Sequence, residues 1–327
     1  MTDVSRRRFL GVAAGTALAG GAVGTASAAG SGRRDGWHAV ESPTDRTLYD
    51  VARAPDGRTR SAGAASSSHA VATGGDCAGT GRTGTARTSR AAAGDGAGTV
   101  WIAGASGALA EIDAESGDLI SHRAPDDVTN EFTAVAIAGS DGGATVYVAD
   151  SSGHVHVSAG SEGGHRTWTH ATPGSGAAIR GVAVGDGRVV AVDANASVFE
   201  ASDGGATWNR IGVDDADGGF RDVAVAGGTV HVAGGKLWSD AGDGWGVVDP
   251  FDTTLYDLEI GPCGCVHAVG ADGTVRHRPG QGISGGATLA KWLGRWEAAH
   301  PTSEALYGIV LGRPHVAVGA NGTIVER

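Results

Sequence analysis

One five-residue unit recurs down this chain, and it restricts the fold more than any other feature. Leu48-Tyr49-Asp50-Val51-Ala52 returns as Phe132-Thr133-Ala134-Val135-Ala136, Ile179-Arg180-Gly181-Val182-Ala183 and Phe220-Arg221-Asp222-Val223-Ala224. It returns again as Leu255-Tyr256-Asp257-Leu258-Glu259 and Leu306-Tyr307-Gly308-Ile309-Val310. The spacing is roughly forty residues, with one longer gap after the first copy. Each copy leads into a turn and then an alternating run such as Val266-His267-Ala268-Val269-Gly270. A strand-forming unit this short cannot bury its own faces, but units stacked radially cover one another. The expected fold is therefore all-β: a six-bladed propeller, with a seventh blade held open.

The runs that follow each copy fill in the blades. They are rich in Val, alternate with small or polar residues, and are bounded by Gly, Asp and Asn. Taking the recurring unit as innermost strand, second strands fall at 100–103, 146–149, 189–192, 230–233, 266–269 and 315–318. Third strands fall at 108–112, 154–157, 197–200, 236–238, 274–277 and 323–326. Outer strands open with a tryptophan: Trp168, Trp208, Trp245, and Trp292 or Trp296. The sixth unit ends at Arg327 without an outer strand, while Trp37-His38-Ala39-Val40 is an outer-type strand with no blade before it. Each deficit answers the other, so the N-terminal strand is expected to complete the last blade and close the ring.

The first unit is interrupted. Residues 55–98 are rich in Ser, Thr, Ala, Gly and Arg, too poor in apolar surface to order themselves, and read as a disordered insertion in its first turn. Arg58, Arg60, Arg82, Arg87 and Arg90 make the segment locally positive. The alternative is that His69-Ala70-Val71-Ala72-Thr73 is a strand of a seventh, degenerate blade.

Ser5-Arg6-Arg7-Arg8-Phe9-Leu10, a mild Gly/Ala stretch and Ala26-Ser27-Ala28 read as a twin-arginine export signal over residues 1–28, with the propeller over 37–327. The stretch is too weakly apolar to favour a permanent span, so the expected product is an extracellular or cell-surface monomer with no integral membrane segment. Removing 1–28 takes away three arginines and one aspartate, leaving 22 basic and 35 acidic side chains, a net charge of −13. Lysine occurs only at 236 and 291. An acidic, Lys-poor, Gly/Ala-rich chain suits high ionic strength and argues against nucleic acid or an anionic membrane as partner.

Asp203-Gly204-Gly205-Ala206-Thr207-Trp208 lies at a turn between third and outer strands. There an Asp carboxylate can accept backbone N–H bonds in a Gly-dependent hairpin with Trp packed beneath it. Weaker versions are Glu162-Gly163-Gly164 before Trp168 and Asp240-Ala241-Gly242 before Trp245. On Asp203, Gly205, Thr207 and Trp208 the chain resembles the BNR/Asp-box β-propellers. Its Ala-Val-Gly-Ala-x-Gly-Thr turns, at 268–274 and 317–323, look most like the photosystem II stability/assembly-factor branch. The resemblance implies an exported, non-enzymatic propeller that binds a protein partner; Ala201, where Ser or Thr is usual, departs from the pattern, and nothing points to photosynthesis. The same repeats occur in sialidases, which clamp a carboxylate with three arginines. Arg180 and Arg221 stand at the right position, with no third arginine in the six copies.

Equivalent positions on equivalent blades converge in space. The second position of the unit (Tyr49, Thr133, Arg180, Arg221, Tyr256, Tyr307) should ring the channel mouth, with Asp50, Asp222 and Asp257 one step deeper. Two arginines beside three tyrosines suit a protein or acidic-peptide partner, or else fill and pair across a narrow channel. No catalytic set, cofactor or metal site is expected. His154-x-His156 puts two imidazoles on one strand face, at a spacing a metal could use. In an exported protein, Cys77 is expected to form a disulfide with Cys263 or Cys265; a three-thiolate soft-metal site is the lesser alternative.

Overall fold

The computed structural model describes residues 36–327 apart from 43, 55–58, 64–67, 72–79, 82–88, 97, 114, 123–124, 140–142, 161–165, 215, 250–251 and 280–295. The export segment, Cys77 and Trp292 therefore lie outside the described residues. The rest is a β-propeller whose described strands form seven four-stranded antiparallel sheets.

Blade 1 is Leu48–Arg53, Thr59–Gly63, Ser68–Val71 and Thr80–Gly81. Blade 2 is Ser89–Gly94, Thr99–Gly104, Ala108–Asp113 and Leu119–Ser121. Blade 3 is Phe132–Ala138, Thr145–Asp150, Val155–Ser158 and Thr169–Ala171, and blade 4 is Ile179–Gly185, Arg188–Asp193, Val198–Ala201 and Asn209–Gly212. Blade 5 is Asp222–Ala226, Thr229–Ala233, Leu237–Asp240 and Gly246–Val247. Blade 6 is Leu255–Ile260, Val266–Gly270, Val275–Arg278 and Glu297–Ala299. Blade 7 joins Leu306–Val310, Val316–Gly319 and Ile324–Glu326 to the N-terminal His38–Ala39. Each innermost strand lies against the next, and the last lies against the first.

The six copies of the unit are the inner strands of six of these sheets. The seventh sheet is the degenerate blade held open by the sequence. The stretch read as one insertion instead supplies the strands Thr59–Gly63, Ser68–Val71 and Thr80–Gly81 of blade 1 and the inner strand Ser89–Gly94 of blade 2. The strands at 100–103 and 108–112 accordingly pair with Ser89–Gly94 and not with Leu48–Arg53. The reason is visible in residue type. Blade 2 begins Ser89-Arg90-Ala91-Ala92-Ala93, without the large apolar first residue or the β-branched residues that mark the other copies.

The ring closes as expected. His38 and Ala39 pair antiparallel with Glu326 and Val325, and the Val40 amide donates to the Ile324 carbonyl at 3.0 Å. Trp37 packs on the core between blades 6 and 7. A tryptophan directly precedes the outer strand of blade 3 (Trp168), 4 (Trp208), 5 (Trp245), 6 (Trp296) and 7 (Trp37). Two of them also tie a blade to its predecessor: the Trp245 indole donates to the Ile211 carbonyl and the Trp296 indole to the Val248 carbonyl, both at 2.7 Å.

The core is divided among the seams between blades. Leu48 and Val51 pack with Val310, Val316, Val318 and Ile324 across blades 1 and 7, and each of the other six seams has its own apolar cluster. The first residue of the unit fills these seams: Leu48, Phe132, Ile179, Phe220, Leu255 and Leu306 are all fully buried. The third is confined by the adjacent inner strand. A Cβ on Gly181 would lie 2.9 Å from the Asp222 Cα, and one on Gly308 would lie 2.7 Å from the Asp50 Cα. The nearest atoms are backbone of the adjacent inner strand, so these two positions have room only for glycine.

Candidate ligand-binding ring at the channel mouth

A backbone irregularity builds the candidate site. In six blades the pairing of the inner strand slips by one residue at its start: between Leu48 and Asp50, Ser89 and Ala91, Phe132 and Ala134, Ile179 and Gly181, Leu255 and Asp257, and Leu306 and Gly308. The residue left over is Tyr49, Arg90, Thr133, Arg180, Tyr256 or Tyr307. Such a bulge frees one residue from the ladder and re-aims its side chain. In blade 5 the equivalent Arg221 sits just before the strand, its amide donating to the Ala233 carbonyl at 2.8 Å. Seven equivalent side chains are thus presented at one end of the channel.

Five of them touch in ring order. Arg221 lies over the Tyr256 ring at 6.0 Å, Tyr256 and Tyr307 are 5.0 Å apart, Tyr307 and Tyr49 are 5.9 Å apart, and Arg90 covers Tyr49 at 4.3 Å. The result is an aromatic arc with a guanidinium at each end. The two ends differ. Arg90 is also bound to Glu131 at 2.6 Å, so its charge is largely met within the protein. Arg180 and Arg221 are exposed, and among the described residues neither has a carboxylate partner. Thr133 does not belong to the recognition surface, because its hydroxyl donates to the Ile179 carbonyl at 2.6 Å and links blades 3 and 4.

Arg90 was missed by the sequence argument because its blade lacks the recurring unit. The signal that could have found it is the Arg90-Ala91-Ala92 triplet set against Arg180-Gly181-Val182: an arginine followed by small residues ahead of the Thr99–Gly104 strand.

The deeper aspartates have a different role from the ring. Asp50 accepts the Val51 amide at 2.7 Å and, across the seam, the Ala92 amide at 2.8 Å. Asp222 accepts the Leu258 amide of blade 6 at 3.0 Å, and Asp257 accepts the Ile309 amide of blade 7 at 2.6 Å. Glu259 continues the pattern by accepting the Leu311 amide. Each acid pins its own inner strand to the next. Burial raises the pKa of all four. It pushes Asp50 up to about 7, with the charges of Asp222 and Glu259 adding to the shift, and pushes Glu259 up to about 7. Asp257 is raised furthest, by burial and by Asp222, to which its carboxyl is hydrogen-bonded. These acids line the channel wall, and their acceptor capacity is committed to holding the ring together.

Burial and the neighbouring Tyr256 and Tyr49 also raise the Tyr307 phenol. It stays neutral at physiological pH, the opposite of what an activated tyrosine nucleophile requires.

Elsewhere, the Asp203 turn has the hydrogen bonds read from its sequence. Asp203 accepts the Ala206 and Thr207 amides at 3.0 Å and the Thr207 hydroxyl, and the Trp208 indole donates to the Gly205 carbonyl at 3.0 Å. Asp240 accepts the Gly242 and Gly244 amides in the same way, whereas residues 161–165 are outside the described set. The expected cysteine pairing is corrected: Cys263 and Cys265 form a disulfide with each other, not with Cys77. That pairing also removes two of the three thiolates a soft-metal site would need. His154 and His156 face one carboxylate, Asp150, together with His170.

No protein-family model matches the chain, and no curated protein matches it. Among solved structures it is similar to the computationally designed Ika8 protein. The match has a TM-score of 0.60 and 14% identity and covers 88% of this chain and 98% of that one. At that identity the likeness is one of fold alone.

Proposed function

We propose that this chain is an exported, non-enzymatic β-propeller that captures a protein or peptide partner through carboxylates seated on the arginine and tyrosine ring. One observation carries the reading. Arg180 and Arg221, on neighbouring blades, are exposed and unneutralised beside the Tyr256–Tyr307–Tyr49 arc. On a chain with an excess of acidic residues, two arginines without ion-pair partners among the described residues are not something the fold requires. Guanidinium forks accept carboxylates in bidentate fashion, and tyrosines supply rigid contact area, the combination enriched in energetically dominant interface positions. The twin-arginine leader, the acidic salt-tolerant surface and the Asp203, Thr207 and Trp208 turn support an envelope or extracellular binder of the BNR/Asp-box type, acting in the assembly or stability of a larger complex. Among the described residues no helix is long and apolar enough to cross a membrane.

Affinity capture from native envelope at native salt, with mature protein as bait, tests this reading. Arg180→Ala combined with Arg221→Ala is expected to abolish capture of the partner and of acidic peptides while leaving the melting temperature unchanged. Undiminished capture by the folded double variant would refute it.

A second reading, a carboxylated glycan at the same ring, gains one observation: Arg90 supplies the third arginine that the six copies lack. Its pairing with Glu131 and the raised Tyr307 phenol argue for binding rather than hydrolysis. A glycan array separates the readings, since sialylated or uronate ligands would be retained and require Arg90. A sialidase-type assay is expected to show no turnover.

A further inference from the structure

On the outer side of blade 3, at the same end of the propeller as the ring, four side chains gather that the proposed function does not use. Asp150 ends the second strand, His154 directly precedes the third and His156 stands on it, two residues further along. His170, on the outer strand, is the cross-strand partner of His156. The ring centroids of His154 and His156 lie 5.3 and 5.6 Å from that of His170 and 5.9 Å from each other.

The hydrogen bonding around Asp150 is overcrowded. Its Oδ1 accepts the Ser152 amide at 2.8 Å and the His154 amide at 3.0 Å. Its Oδ2 faces the Asn130 side-chain amide at 2.9 Å, His154 Nδ1 at 3.1 Å and His156 Nε2 at 3.0 Å. Five donors converge on a carboxylate with about four lone-pair sites. Two imidazole nitrogens aimed at one fully buried oxygen can also turn lone pairs toward it, and then a cation between the three atoms satisfies them all. Those three ligand atoms lie within 4.8 Å of one another. Around an ion held at about 2.0–2.1 Å by nitrogen and oxygen, ligand atoms stand roughly 3 Å apart, the separation that both imidazole nitrogens keep from Asp150 Oδ2.

The other blades serve as internal controls. Blade 4 has the same turn, in which Asp193 Oδ1 accepts the Asn195 and Ser197 amides, but Ser197 and Phe199 occupy the positions of His154 and His156. Blade 6 has Thr274 and Arg276 there, and Arg276 pairs with Ala298 where His156 pairs with His170. The turn and strand therefore form without histidine, and two imidazoles on one carboxylate with a third packed against them are not a requirement of the fold.

We propose that Asp150, His154 and His156, with His170 as a fourth ligand from the exposed side, form a binding site for a borderline divalent transition-metal ion such as Zn²⁺. Two or three imidazoles and one carboxylate suit Zn²⁺, Co²⁺ or Cu²⁺ and not Mg²⁺ or Ca²⁺, which take oxygen ligands. His156 is buried in a T-shaped contact with Phe132, while His154 is half-buried and His170 is exposed, so the site is covered at His156 and reachable from the side of the other two imidazoles. Asn130, which orients Asp150, is followed directly by Glu131, the partner of Arg90, so the ion would brace the segment supporting one end of the ring.

Zn²⁺ titration of the metal-stripped mature protein by calorimetry, with Co²⁺ as the absorbing probe, tests the site. Wild type is expected to take one equivalent and to give the visible bands of tetrahedral or five-coordinate Co²⁺ with nitrogen ligands. His154→Ser combined with His156→Phe transplants the blade 4 residues and so preserves folding; it is expected to lose that equivalent entirely. His170→Ala should retain it at least about tenfold more weakly. Absence of a stoichiometric Zn²⁺ or Co²⁺ equivalent in wild type, or an unchanged equivalent in the folded double variant, overturns the proposal.

Discussion

Replacing Asp50 with Asn should change how the stability of the propeller depends on pH, in a direction the structure dictates. Burial pushes the Asp50 carboxyl from an ordinary 3.8 up to about 7. Above about pH 4 the unfolded chain has released this proton, while the native protein keeps it until about pH 7. The native state therefore binds more protons across that window. The contribution is complete below the unfolded value and is lost as pH rises through the native one. About three decades of proton affinity set a ceiling of about 4 kcal/mol, and the partial exposure of Asp50 reduces this to about 2 kcal/mol. Asn carries no proton to lose. It accepts through one oxygen only, so either the Ala92 or the Val51 amide loses its partner, a pH-independent offset of about 1 kcal/mol. Buried His231 and His267, both lowered to about 3, act in the opposite direction between about pH 3 and 6.5, but they are common to both proteins and cancel in the difference. Melting temperatures of D50N and wild type, measured from about pH 4 to about pH 8, should show the variant gaining on wild type by roughly 4–8 °C across the range. A difference that stays flat, or falls as pH rises, would refute the assignment of Asp50 as a carboxyl kept protonated by the channel.

Gly308→Ala places a Cβ 2.7 Å from backbone of blade 1, so it should cost about 1–3 kcal/mol, whereas Gly143→Ala, with open space around it, should stay within about 0.5 kcal/mol; equilibrium urea unfolding compares the two. Deleting Trp37–Val40 removes the outer strand of blade 7 and exposes the Ile324–Glu326 edge, so scanning calorimetry should find the cooperative transition lost or replaced by aggregation. An unchanged melting temperature after that deletion would show that the closure carries no stability.

The sequence was legible where large residues mark the seams. Six of the seven inner strands announce themselves by Leu, Phe or Ile at the first position, because that side chain must fill the space between two sheets. Second and third strands fell within a residue or two of their observed bounds because alternating valines are buried on both faces, and Trp37 revealed the closure. Blade 2 was illegible for a matching reason. The seam between blades 1 and 2 is filled largely by Ala52, Ala54, Ala62, Ala92 and Ala110, so its inner strands need no bulky residue and leave no pattern.

The candidate site was legible in part, and the part that failed is instructive. Positions two and three of the unit both vary in charged and aromatic residues, so sequence alone ranked Asp50, Asp222 and Asp257 beside Tyr49, Arg180 and Arg221. The structure separates them through one bulged residue per blade. Position two is freed from the ladder and meets solvent or its ring neighbours. Position three returns to the ladder, where Asp50, Asp222 and Asp257 each accept an amide of the next blade and Gly181 and Gly308 lie against the backbone of the next inner strand. Selection for closure acts on position three, so its aspartates cannot be exchanged without loosening a seam. Position two contributes seam bonds through Thr133 and through the Arg90–Glu131 pair, and none among the described residues through Arg180 or Arg221. Its composition is therefore adjustable at little cost in stability. A fold that keeps the pin and the presented side chain on adjacent residues can change what it presents without changing its ring, and that is why the proposed recognition rests on the arginines and not on the buried acids.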